Sequence, residues 1–197
     1  MKNIVLYIHG KGGSHLEAEH YAPLFPDCTV IGLDYKANTP WEAKAEFPAL
    51  FDEYAKDGTQ MILIANSIGA FFAMHALFGK KIEKAYFVSP ICDMTKLIQN
   101  MMRAAGVTEE RLREEKEIPT AFGEPLSWDY LSYVRSHEIE WTAPTSILYG
   151  EKDALTDYPT ISAFAEKIGA DLTVMKGGEH WFHTEEQTAF LDDWIKR

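Results

Sequence analysis

The stretch MILIANSIGAFF, residues 61–72, constrains this chain more than any other. Met61, Ile62, Leu63, Ile64 and Ala65 form an apolar run without alternation. A strand buried on both faces of a parallel sheet has that pattern. The run breaks at Asn66-Ser67-Ile68-Gly69 and resumes as Ala70, Phe71, Phe72, Ala73 and Met74, which predicts a buried helix. A serine between such a strand and such a helix sits on a tight turn. Ala65 and Gly69 are small enough to let the helix lie close on the strand. The pattern Ala-x-Ser-x-Gly is close to Gly-x-Ser-x-Gly, in which a strained turn presents a nucleophilic hydroxyl at the top of a sheet. Taken alone, it also fits an ordinary strand-to-helix turn.

The same strand-then-helix rhythm runs through the chain. Apolar or β-branched runs at 4–8, 28–33, 60–66, 84–89, 145–149 and 171–175 predict six strands. Helices are expected at 15–24, at 41–56 with an irregularity at Pro48, from Ser67 to about residue 78, at 158–168 with Gly169 as C-cap, and after Thr184. Thr184 with Gln187 three residues on predicts a capping box. This alternation implies an α/β fold, a three-layer α/β/α sandwich on a six-stranded, mainly parallel sheet. Residues 91–140 depart from the rhythm. They show no strand signal, are helical over 94–105, highly charged over 108–117 and aromatic-helical over 127–134. An excursion of that length is too long for a plain connection. It is expected to be a helical insertion in a single domain of residues 1–197, either a lid or a layer covering the sheet.

In parallel sheets ligands bind beyond the carboxyl ends of the strands. Four unusual loops follow strands directly: 9–14, the Ser67 turn, the loop at Asp153 and the loop at His180. A serine hydroxyl needs a base to take its proton and an acid to orient that base. His180, in Gly-Gly-Glu-His after the last strand, fits the base. Asp153, in Gly-Glu-Lys-Asp after the fifth, fits the acid, with Asp157 and Glu151 as alternatives. An oxyanion would need two backbone N–H donors, expected from Ile68 and from Lys11 in the loop after strand one. That loop lacks the full spacing of a dinucleotide or phosphate loop. His180 and His183 are spaced as metal ligands could be, but no matching pair stands on another strand-end loop, so no metal or cofactor is expected. His9 reads as a brace for its loop. His15, His20, His75 and His137 read as surface or packing residues.

With HGKGG, ANSIG, YGEKDALT and GGEHWF in place, the chain resembles the α/β-hydrolase superfamily, in particular its small single-domain bacterial serine hydrolases. The resemblance spans residues 4–194. It departs in Ala65, where the first elbow glycine is usual, and in lacking the two strands that usually precede the oxyanion loop. It implies the sheet order 2-1-3-4-5-6 and a Ser67-His180-Asp153 triad that cleaves a small ester or thioester through an acyl-enzyme. A peptidase or acyltransferase would use the same groups, and a non-catalytic binding protein could share the fold. Trp128, Tyr130, Tyr133, Met101 and Met102 are the expected substrate contacts from the insertion.

Composition narrows the partners. The chain has 19 basic and 30 acidic residues, a net charge of −11, which argues against nucleic acid and anionic membranes. Cys28 and Cys92 are expected to be reduced and buried, in a cytoplasmic protein. No leader or membrane-spanning segment is read in the sequence.

Overall fold

The computed structural model describes residues 2–197. Six strands form one parallel sheet in the order β2-β1-β3-β4-β7-β8. They are β1 (Lys2–Ile8), β2 (Thr29–Gly32), β3 (Thr59–Asn66), β4 (Lys84–Val88), β7 (Thr145–Gly150) and β8 (Asp171–Met175). This is the expected sheet and the expected order. The central strands are buried on both faces, as the apolar runs require. Val5, Tyr7, Ile64, Val88 and Leu148 face one side. There they pack with Ala18 and Tyr21 of α1 (Ala18–Tyr21) and with Leu191, Trp194 and Ile195 of α8 (Glu185–Ile195). Ile4, Leu6, Ile8, Leu63, Phe87 and Ile147 alternate with them and are equally buried. They face the layer of α2 (Pro40–Tyr54), α3 (Ile68–Ala76) and α7 (Tyr158–Ile168), where Tyr35, Phe47 and Phe72 stack edge to face.

Local departures from expectation have physical causes. Residues 15–24 form three short turns rather than one helix: a 3-10 turn at His15–Glu17, the single turn of α1, and a 3-10 turn at Ala22–Leu24 that holds Pro23. Helix α2 runs unbroken through Pro48 but stops at Tyr54, two residues short of the expected 56. Thr184 caps α8 by accepting the Gln187 N–H at 3.2 Å. The reciprocal half of that box is absent, and Gln187 Oε1 is buried with no partner. Cys92 is buried, whereas Cys28 is only half-buried, and neither forms a disulfide.

The chain separates into two compact units, one of residues 1–92 with 140–197 and one of Asp93–Ile139. The second holds α4 (Met94–Ala105), α5 (Glu109–Glu115), α6 (Trp128–Ser136) and a two-stranded antiparallel hairpin, β5 (Glu117–Ile118) with β6 (Leu126–Ser127). The hairpin corrects the expectation of no strand in this region. Two residues per strand are too few to leave a periodic signal. Each helix begins at a side-chain cap, Asp93, Thr108 and Ser127 respectively. Among the described residues no helix is long and apolar enough to cross a membrane.

Candidate active site

Ser67 stands between β3 and α3 with φ 51° and ψ −123°, a conformation that costs a non-glycine residue about 1–3 kcal/mol. The turn is held at every point. Ser67 N–H donates to Val88 O at 2.9 Å, and Ser67 O accepts from Ala70 N and Ile91 N at 3.2 Å each. Close approach of α3 to β1 depends on Gly69. A Cβ there would lie 2.2 Å from the His9 carbonyl oxygen, a backbone atom that cannot swing aside.

The loops after β7 and β8 are zipped together. Glu151 N–H donates to Met175 O at 3.0 Å and Lys152 N–H to Gly178 O at 2.7 Å. The Glu151 carboxylate accepts Gly177 N–H at 2.8 Å. Gly150 lets the backbones meet, since a Cβ would lie 2.4 Å from Glu179 O. This zipper carries His180 to Asp153. His180 Nδ1 is 2.7 Å from Asp153 Oδ2, and His180 Nε2 is 2.8 Å from Ser67 Oγ. The side chains of His180 and Asp153 are 11% and 0% exposed. Asp153 Oδ1 accepts the N–H groups of Leu155 at 2.8 Å and Thr156 at 3.1 Å, which fixes the carboxylate independently of the imidazole. With Nδ1–H donating to the carboxylate, Nε2 is left as the acceptor for the serine proton. Three side chains from distant parts of the chain thus form one hydrogen-bonded line.

The alternative acids are engaged elsewhere. Asp157 caps α7, its Oδ1 accepting Thr160 N–H at 3.0 Å, and Glu151 braces the zipper. His9 supports its loop. Its ring stacks on Tyr35 with centroids 4.3 Å apart, and the Tyr35 hydroxyl donates to the His9 carbonyl at 2.8 Å. That loop comes up against the elbow: a Cβ on Gly10 would lie 3.2 Å from that of Ser67. Lys11 follows in the same loop. Ile68 is the first residue of α3, so its N–H has no acceptor within the helix.

Trp128, Tyr130, Tyr133, Met101 and Met102 all belong to the second unit. The Arg113 guanidinium lies over the Trp128 ring at 4.9 Å, Tyr133 stacks on His137 with centroids 3.9 Å apart, and Met102 is buried. His183 Nδ1 is 2.8 Å from Trp181 O. Among the described residues no three His, Cys, Asp or Glu side chains gather as metal ligands would. Next to the elbow, Asn66, Tyr7 and Glu17 form a hydrogen-bonded chain that the sequence does not reveal. Only the Ser14-x-x-Glu17 spacing, a capping-box signature, could have drawn attention to one of them.

No family model matches the sequence. Among solved structures, alpha/beta hydrolase domain-containing protein 10 from mouse superposes with a TM-score of 0.78 at 16% identity, over 98% of this chain and 87% of that one. Est1E from Butyrivibrio proteoclasticus gives 0.77 at 18% identity, over 99% and 86%. The chain has the α/β-hydrolase fold. A thioesterase domain from the curacin biosynthetic pathway shares that fold more distantly, with a TM-score of 0.61 at 18% identity, over 100% and 92%. A curated relative, "Putative esterase/lipase 3" of Mycoplasma genitalium, is 33% identical over 103 residues, 46% of this chain. The match spans 37% of that protein's length. On the α/β-hydrolase fold the ends of β3, β7 and β8 lie on one edge, where Ser67, Asp153 and His180 stand.

Proposed function

We propose that this protein is a serine hydrolase that cleaves a small ester or thioester. The reading rests on one observation, the line of hydrogen bonds from Ser67 Oγ through His180 to Asp153. Ser67 attacks the acyl carbon while His180 Nε2 takes its proton. Asp153 holds the imidazole in the tautomer that can do so and stabilises the imidazolium that forms. The tetrahedral oxyanion is met by the N–H groups of Ile68 and Lys11; losing one such donor typically costs about 3 kcal/mol of barrier. His180 returns its proton to the leaving group, and water, activated by the same imidazole, releases the acid from Ser67. Names of the relatives support the class, since they include esterases and a thioesterase.

A fluorophosphonate probe tests this. Wild type is expected to be labelled and Ser67→Ala is not; an unlabelled wild type would support a binding protein on this fold instead. A series of p-nitrophenyl esters from acetyl to long acyl then defines the substrate. We further propose that Met101, Met102, Trp128, Tyr130 and Tyr133 contact the acyl chain. Trp128→Ala should then shift the chain-length preference by roughly tenfold in kcat/KM between short and long esters. An unchanged profile assigns the unit 93–139 no part in selection.

A further inference from the structure

The loop after β1 and the elbow after β3 reach the site from different strands, and one carboxylate is tied to both. Glu17 Oε1 accepts the Ser14 N–H at 3.1 Å, closing a capping box on the first helical turn. That bond is what a capping residue makes. Its other oxygen does something a cap does not require: Oε2 accepts the Tyr7 hydroxyl. Tyr7 lies in β1 and is fully buried. Burial first, then the neighbouring Tyr21 and the Glu17 charge, push its pKa up, so the phenol keeps its proton and donates. The phenol oxygen in turn accepts Asn66 Nδ2 at 3.0 Å. Asn66 directly precedes Ser67. The chain therefore runs in one direction, Asn66 to Tyr7 to Glu17, and ends on a charge, which makes its last link a strong one. Gly13 leaves room for that charge, since a Cβ there would lie 2.7 Å from Glu17 Oε1.

We propose that Glu17 is a positioning residue for the reaction: its carboxylate sets the spacing between the 10–14 loop and the elbow, and with it the spacing of the Lys11 and Ile68 N–H groups. This rests on the serine hydrolase reading. An oxyanion site works only when both donors fall about 2.7–3.1 Å from the developing charge. Here they lie on separate strand-end loops, and a shift of about 1 Å between them can cost on the order of a hundredfold in rate. Tyr7 and Asn66 transmit the tie and touch no substrate.

The test compares Glu17→Ala, Glu17→Gln and Tyr7→Phe with wild type on p-nitrophenyl acetate, with thermal melts and fluorophosphonate labelling alongside. Expected for Glu17→Ala is a fall in kcat of about thirtyfold with KM within about twofold. Tyr7→Phe leaves the capping box whole and should lose about tenfold in kcat. Glu17→Gln keeps one accepting oxygen and should fall between Glu17→Ala and wild type. Should Glu17→Ala fail to fold, Tyr7→Phe carries the comparison, since it removes a single oxygen. Folded variants with wild-type kcat, or with the whole change in KM, overturn the proposal and leave Glu17 as a helix cap. A wild type inert to both ester and probe overturns the hydrolase reading and the proposal with it.

Discussion

Around Ser67 the backbone does the holding. Its φ is positive, its N–H bonds to the end of β4 and its carbonyl to Ala70 and Ile91, and Gly69 lets a helix touch the His9 carbonyl. In the unit 93–139 a small apolar core that includes Leu112, Leu126 and Leu131 is buried, and the helix ends and surfaces around it are held by side chains near water. Three caps begin its helices, Arg135 pairs bidentately with Glu109 at 2.7 and 2.8 Å, and Arg111 pairs with Glu115 at 2.7 Å. Exposed pairs of this kind contribute little individually and are screened by salt. The first arrangement fails as a whole when one contact is lost. The caps and ion pairs of the second are small, separable terms, so substitutions at those surface groups should be graded and mild.

The sharpest test lies in the site. Asp153→Asn should lower ester turnover by about ten-thousandfold with the melting temperature little changed, because the imidazole loses its productive tautomer. Asp157→Asn, four residues on, should leave turnover near wild type, its carboxylate being spent on Thr160 N–H. Reversed results would move the acid's role. Next in size is Gly69→Ala. Its new methyl group would meet the His9 carbonyl, and urea unfolding should show a loss of about 3 kcal/mol. A loss near zero would mean that α3 can slide on the sheet and that the elbow is no more tightly held than the surface of the unit 93–139.

The smallest effect belongs to the other unit. Hydrogen bonds from Arg135 hold the Glu109 carboxyl below the usual carboxylate range. A carboxyl whose pKa is lower folded than unfolded adds stability above its unfolded pKa, and that stability is lost as pH falls through the folded value. Arg135→Ala should therefore lose that small contribution at neutral pH, converge with wild type as pH falls, and so flatten the acid limb of the stability profile. Melting curves from pH 7 down to pH 3 check this, and a difference from wild type that stays the same at pH 3 would show that the pair acts through packing and not through charge.

Much of the architecture could be read from the chain because the signals were long. Buried parallel strands are runs of apolar residues, and α4 and α7 start and stop at the residues expected, with Gly106 and Gly169 left-handed at their ends. Where elements are short the sequence carries too few residues to speak, as in β5, β6 and the turns of 15–24. Ser67, Asp153 and His180 could be picked out because each follows a strand. The sequence already favours Asp153 over Asp157, which lies further from the strand end; the turn adds the physical reason, since Leu155 and Thr156 N–H groups fix one carboxylate and a helix claims the other. The Glu17-Tyr7-Asn66 chain was hidden for a different reason. Its members belong to three segments, and nothing in their spacing reveals that a buried phenol joins them.

Strands β4 and β7 are parallel neighbours, and the unit 93–139 falls between them in the sequence. A parallel crossover needs a dozen or more residues in any case. Once that minimum is met, added length costs little in closure entropy, about 0.6 kcal/mol per doubling. This is the place in the molecule where segments of other sizes could be grafted, by selection or by design, while the sheet to either side kept its register.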